Sequence, residues 1–384
     1  MSNKNKTKLK ETEIGLIPEE WDVAAVYDIA DILGGGTPDT SDVDYWGGDI
    51  PWLSVNDFNN ESRFVSEAEK RITQKGLEES STQILKKGQL IISARGTVGV
   101  IAQVRIDMAF NQSCYGLIGK KGISNDFLYY LLKNCISDFK QKSHGAVFDT
   151  ITRNTFKDIL VTIPTQSERE RIAEILSSLD DKIELNRKII TNLEKLSSSL
   201  FKKWFVDIGN ELPGRWKIGK FGDLVEITSG KRPGEKQEIQ TENFSVPLLG
   251  ASSVMGYVKE YLYNELILIT GRVGTHGVIQ KIDYPCWPSD NTLVIKSKFL
   301  EFAYQTMKSF DFASLNRGST QPLITQGDLK NIEIIIPENT ILEKFEKTVA
   351  PFAERVRSNE KENQNLSKLR DSLLPRLMSG KLRV

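Results

Sequence analysis

Two stretches of the chain carry mainly apolar residues at alternating steps of four and three. The first runs Ile172, Leu176, Leu179, Ile183, Asn186, Ile190, Leu193, Ser197 and Leu200; the second runs Phe345, Val349, Phe352, Val356, Asn359, Asn363, Leu366, Arg370 and Leu373. Each position of the second lies 173 residues after its counterpart. A period of 3.5 held over nearly four heptads predicts long helices with a narrow apolar seam, and such a seam needs a facing helix. The other copy is the obvious candidate, in an antiparallel pair. Both stretches follow Ile-Pro and fit the capping-box pattern, at Ser167–Glu170 and Thr340–Glu343. Asn186 and Asn359 share one seam position, flanked by Leu179 and Ile183 in one copy and Phe352 and Val356 in the other. An Asn there either sets register, because misaligned it would be buried unpaired, or lies exposed at a bend. Ser167 to Phe205 is 39 residues, about 58 Å of helix.

The rest of the chain alternates short β-like runs with turn signals, and it too is written twice. Ile17-Pro18-Glu19-Glu20-Trp21 and Leu212-Pro213-Gly214-Arg215-Trp216 open the halves, 195 residues apart at the tryptophans. Each leads through Asp-Ile-Ala-Asp-Ile-Leu or Asp-Leu-Val-Glu-Ile-Thr to Gly-rich residues and then Pro38 or Pro233. Ile92–Ile101 echoes Ile269–Ile279, with Arg95 matched to Arg272, and Phe110–Ser113 echoes Ser289–Thr292. The offset then falls to 173, so the second half has a shorter middle between its Gly-rich loop and its Arg-Gly turn. Runs at 89–93, 100–104, 266–270 and 277–282 predict strands, and 125–139 and 299–312 predict helices.

The expected fold is α+β: two mixed-sheet domains separated by two long antiparallel coiled-coil helices, with pseudo-two-fold internal symmetry. The expected boundaries are 1–165 for the first globular domain, 166–207 for the central helix, 208–338 for the second globular domain and 339–384 for the C-terminal helix.

Several loops display Arg, Lys, Ser, Thr, Asn or His with little steric bulk. Such side chains bond phosphates and base edges, and Arg can bond guanine bidentately. The candidate DNA-binding set is Asn56, Ser93, Arg95, Thr97 and His144 in the first half, and Lys231, Arg232, Arg272, Thr275, His276, Arg317, Ser319 and Thr320 in the second. For any one of them the alternative is a surface turn with a local salt bridge.

Composition narrows the choice. Lys+Arg and Asp+Glu both number 51, so any DNA surface is local or shared with a partner. Mean hydropathy is −0.32 and no run resembles a membrane span, so no membrane role is expected. Met1–Glu13 lacks the apolar core of a signal peptide. Three scattered cysteines and two histidines give neither a disulfide framework nor a metal site, and a cytoplasmic setting is expected. Gly214–Lys220 resembles a phosphate-binding loop, but Phe221 stands where a magnesium-binding hydroxyl belongs. No nucleophile–base or acid–base pair is legible. A non-catalytic subunit is expected.

With these residues in view, the chain resembles the specificity subunits of type I restriction–modification systems. The resemblance rests on Ile14–Trp21, on Arg171–Glu184, on Leu200–Asp207 and on Leu373–Lys381. It implies two target-recognition domains, each reading one half of a split double-stranded DNA sequence, with the helices as spacer. It implies two methyltransferase subunits docked on the helices and restriction–translocase subunits joining for cleavage. S-adenosylmethionine, ATP and Mg would then belong to those partners, and this chain would hold no cofactor. A protein-binding scaffold without DNA specificity is the alternative. The second helix carries Asn363, Arg370 and Pro375 where the first has Ile190, Ser197 and Lys202, so the two are not equivalent docking surfaces. Pro375 is expected to end or kink the second helix.

Overall fold

The computed structural model describes residues 8–60, 62–143, 150–209, 212–273, 277–315 and 323–384. The chain forms two compact units, Met1–Arg187 with Lys361–Val384, and Lys188–Glu360. The division falls inside both long helices, Gln166–Phe201 and Asn339–Met378. Each unit therefore owns one globular part, the start of one long helix and the end of the other. Sequence pattern treats each helix as a separate segment; packing shares each helix between the units.

In the first unit a five-stranded sheet runs in the order Ala30–Gly34, Cys114–Gly119, Leu90–Ser93, Ile101–Val104, Phe64–Val65. Its pairs are antiparallel except the last, which is parallel. A four-stranded sheet follows the order Lys70–Ile72, Trp46–Leu53, Met108–Phe110, Ile84–Leu85. Asp22–Ala25 pairs with Leu160–Ile163 beside the helix start. The strand Leu90–Ser93 shows why the fold closes here. All four residues are buried; Leu90 and Ile92 enter one apolar cluster and Ile91 the other. Period-two alternation in the apolar run Leu90–Ile92 puts a core on both faces.

The second unit repeats this plan. Its four-stranded sheet runs Glu226–Ser229, Thr292–Lys296, Ile267–Gly271, Ile279–Ile282, and its three-stranded sheet Val254–Val258, Val246–Leu249, Trp287–Pro288. Lys217–Lys220 pairs with Glu333–Ile336. Leu268 faces one cluster while Ile267 and Ile269 face another. Among the described residues the edge strands Phe64–Val65 and Ile84–Leu85 have no counterpart in this unit, in keeping with its shorter middle.

The helices run antiparallel within each unit. In the first, Asp180 meets Arg370 while Lys182 and Asn186 meet Glu362, so rising numbers on one helix face falling numbers on the other. Ile172 and Leu176 share a core with Leu374, Leu377 and Met378 from the chain's C-terminal end. In the second, the rings of Phe201 and Phe205 lie 6.1 Å and 5.0 Å from that of Phe345. Ile183 is buried, and Leu179, Phe352 and Val356 are half-buried. Asn186 and Asn359 are both buried rather than exposed at a bend. Asn186 Nδ2 donates to Glu362 Oε2 at 2.8 Å and to Asn363 Oδ1 at 3.0 Å.

Two local expectations are corrected. Ser167 and Thr340 lie inside the first turn of their helices rather than at the N-cap: the helices start at Gln166 and Asn339, and Thr165, just before the first, bonds Glu168 Oε2 through its hydroxyl at 2.9 Å. Pro375 does not end the second helix, which continues to Met378. Near a helix end little ladder remains to be lost. Gly380, at φ 70, supplies the left-handed residue that terminates it.

Candidate nucleic-acid interface

The Gly-rich segments explain how each surface is assembled. A Cβ on Gly35 would lie 2.0 Å from the Asn111 carbonyl oxygen, and one on Gly230 would lie 2.2 Å from that of Ser289. Glycine alone permits these approaches. The backbone then locks: Gly36 N–H donates to Phe110 O, and Lys231 N–H to Pro288 O, both at 3.0 Å. On the other side of each loop, Ala94 N–H donates to Ser113 O, and Arg272 N–H to Asn291 O, both at 2.8 Å. Each unit thus gathers a Gly-rich segment and a hairpin end around one loop, 111–113 or 289–291.

In the second unit this gathers three of the expected residues, Lys231, Arg232 and Arg272. Lys231 and Arg232 are exposed, and the Trp287 indole donates to Lys231 O at 2.7 Å. Arg232 and Lys236 line a cleft floored by Leu248 and bounded by Ser289, Asp290 and Asn291. Arg232 and Lys236 beside Asp290 suit phosphate contacts, with the polar groups of Ser289 and Asn291 close by. Lys236 was not anticipated; it lies outside any motif and joins the cleft only through the fold.

The first unit builds the same frame from neutral side chains. The Thr37 hydroxyl bonds the Gln112 amide oxygen, and Asn111 and Ser113 complete the loop. Asn and Gln can bond adenine bidentately, so this loop offers base-edge chemistry where the second offers charge. The echo at Phe110–Ser113 marked the segment, but not these residues. Arg95 and Thr97 are exposed on the adjoining hairpin end. Asn56 is exposed on the short helix Val55–Phe58, whose capping box is closed by Ser54 and Asp57.

Ser93 is a correction. It is wholly buried, donates its hydroxyl to Thr97 O and accepts from Val100 N–H at 2.8 Å. It shapes the turn that displays Arg95 and has no surface to offer DNA. The match of Arg95 to Arg272 is also corrected. Ser93 pairs with Cys114 and Gly271 with Thr292, and the loop bonds place Arg272 where the first unit has Ala94. Arg95 corresponds to Val273: Arg95 bridges Thr150 as Val273 bridges Leu323. A one-residue slip moves a side chain to the other face of an extended segment, so the two arginines do not repeat one contact. His144, Thr275, His276, Arg317, Ser319 and Thr320 lie outside the described residues.

The second unit fastens its globular part to its helices through ionisable groups. Glu346 accepts from Phe302 N–H at 2.9 Å and from Glu301 N–H at 3.2 Å, and burial pushes its carboxyl up to about 7. Lys281 pairs with Glu301, and burial lowers its ammonium's pKa. Burial pushes the thiols of Cys114, Cys135 and Cys286 up to about 12, far from nucleophilic. Among the described residues no group of His, Cys, Asp and Glu is placed to hold a metal ion, and no helix is long and apolar enough to cross a membrane.

Comparison with known proteins places this doubled architecture. The family model for the type I restriction modification DNA specificity domain matches twice, at residues 18–195 and 213–368. The chain belongs to this family. The specificity subunit of the type I restriction enzyme MjaIX from Methanocaldococcus jannaschii is 32% identical, with 98% of this chain and 97% of that one covered. The EcoprrI specificity subunit of Escherichia coli is 20% identical over 86% of this chain and 89% of its own. Among solved structures, the type I restriction–modification S subunit from M. genitalium superposes with a TM-score of 0.63 at 15% identity, covering 98% of both chains. That likeness establishes the shared fold. The two family matches fall on the two copies of the sheet-and-helix plan, so this specificity-family chain is a duplicated specificity domain.

Proposed function

We propose that this chain reads DNA sequence for a type I restriction–modification complex, with each globular part recognising one half of a bipartite target. One observation carries the reading. The two units build the same loop frame but fill it differently, with Thr37, Asn111 and Gln112 in one and Lys231, Arg232 and Lys236 in the other. One frame with two side-chain sets is what two different half-sites require. The long helices serve as the spacer between the half-sites and as the docking surface for two methyltransferase subunits. Leu196 and Leu369, 173 positions apart, are both exposed on them. Exposed leucines at repeated positions suit a partner that meets each helix in the same way. Restriction–translocase subunits join for cleavage.

The chain itself is non-catalytic and cytoplasmic in this reading, and S-adenosylmethionine, ATP and Mg reside on the partners. Its zero formal charge fits partners that supply much of the phosphate-binding surface. The test is reconstitution with the methyltransferase subunit followed by selection from a randomised duplex pool. A split motif with a constant gap is expected; methylation without sequence preference overturns the reading. A protein-binding scaffold predicts instead no salt-dependent DNA affinity, alone or in complex. Inserting one heptad into each long helix is expected to lengthen the gap and leave both half-site sequences unchanged. Altered half-sites at the native gap would refute the spacer role.

A further inference from the structure

The first unit contains a buried polar chain that none of its sequence motifs announced. Arg63, with its side chain 3% exposed, stands just before the edge strand Phe64–Val65. Its guanidinium pairs with Asp126 and donates to Gln103 Oε1 at 3.1 Å, Tyr130 OH at 3.1 Å and Ser177 Oγ at 2.8 Å. Tyr130 donates to Asp180 Oδ2 at 2.6 Å, and Arg370 donates to Asp180 Oδ1 at 2.6 Å. Burial raises the Tyr130 phenol's pKa, keeping it a proton donor. Arg370 is held in turn by Asp371. The chain runs without a break from the sheet edge, through the helix Asn125–Asn134, to the first long helix and then the second.

Among the described residues of the other unit nothing repeats it. The strand beside Arg63 has no counterpart there. The positions 173 residues after Ser177 and Asp180 are Ala350 and Ala353, and the one 173 before Arg370 is Ser197. The helices, otherwise the best-preserved part of the repeat, differ where this chain lands. A buried ionic network is a poor source of net stability, and its best-attested use is to fix one arrangement among several apolar alternatives. A planar guanidinium that donates to four groups on three elements leaves little freedom of tilt or slide between them.

We infer that Arg63 is a positioning residue that sets how strictly the complex measures the gap between the two halves of its target. It does so by holding the first recognition domain at one fixed angle on its own ends of the long helices. This rests on the bipartite reading above. Arg63 contacts no DNA; it acts through Ser177, Tyr130 and Asp180.

The experiment uses the full chain reconstituted with its methyltransferase subunits. The probes are duplexes carrying the selected half-sites at the native gap, one base pair shorter and one base pair longer. One base pair displaces the second half-site by about 3.4 Å and a tenth of a turn. The wild-type complex should favour the native gap by at least roughly tenfold, since misplacement on the ångström scale carries penalties of that order. Arg63→Lys keeps the charge but loses the planar fork, and should reduce this preference to about threefold or less while both half-site sequences stay unchanged. Ser177→Ala, which removes a single bond, should shift the preference in the same direction by a smaller factor and serves if Arg63→Lys does not assemble. Wild-type gap discrimination in an assembled variant overturns the inference, as does an equal loss of affinity at all three gaps, the mark of a purely structural residue. If the wild-type complex itself shows no gap preference, the bipartite reading fails instead.

Discussion

The two halves share a backbone plan and differ in what fills it. At the helix start the first unit packs aliphatic residues, Ile172 and Leu176 against Leu374, Leu377 and Met378, and adds a buried ionic chain. The second packs Phe345 and Val349 against Phe201, Phe205 and Phe302, with Glu346 bonding the backbone of the helix Leu300–Lys308. The helix Asn125–Asn134 is capped by its own Ser124, whereas Leu300–Lys308 follows Phe299, which gives no side-chain cap. The second unit obtains from the long helix what the first supplies locally. A duplicated fold keeps its strand order because backbone hydrogen bonds impose it, while its attachments diverge freely as long as most buried polar groups find a partner.

This contrast can be broken experimentally. The largest effect is expected at the repeated seam position. Phe345→Ala should destabilise the second unit by about 3–5 kcal/mol, and Ile172→Ala the first by about 2–5 kcal/mol, as large-to-small core changes do. Denaturant melts of the intact chain would measure both, and an effect at Phe345 no larger than at Ile172 would remove the aromatic cluster as a distinguishing feature. A smaller effect should separate the two loop chemistries. Gln112→Ala is expected to relax base preference at one position of a single half-site by about 1–3 kcal/mol without changing the salt dependence. Arg232→Ala should reduce the log–log salt slope of binding by about 1 and weaken all sequences alike. Selections and titrations on the reconstituted complex decide this, and the same phenotype from both variants would mean the loops do not differ in role.

A further difference is a pH dependence in the second unit. Glu346 sits near 7 in the folded chain against an ordinary value of 4.5. Its folded pKa is raised, so the native state holds the proton more tightly. Its contribution is fully present below 4.5 and is lost as pH rises through 7. Melts between pH 5 and pH 8 should show the second unit weakening over this window. Glu346→Gln should flatten that slope. An unchanged slope in the variant would assign the dependence to another group.

Much of the fold was legible because period is a local property. The strands at Leu90–Ser93 and Ile267–Gly271 and the long helices follow from alternation and heptads. The interface was less legible. Ser93 looked like a loop donor because its neighbours are Arg and Gly; its burial comes from Thr97 O and Val100 N–H closing over it. Arg95 and Arg272 looked equivalent because matching the two motifs by their arginines slips them one residue out of strand register, although the hairpins closed by Ile92–Ile101 and Thr270–Ile279 are equal in length. The partners across the sheet, Cys114 and Thr292, reveal it.

By itself, then, the sequence determined the duplication, the strand and helix content, and the need of each helix for a facing partner. Only the tertiary structure decided that the C-terminal end of the chain completes the core of the first unit, through Leu374, Leu377 and Met378. It alone placed Arg63 against Ser177, 114 residues away. The physical reason is the same in both cases. A hydrophobic pattern records which side of an element must leave water, but burial is non-directional and does not name the surface it is buried against.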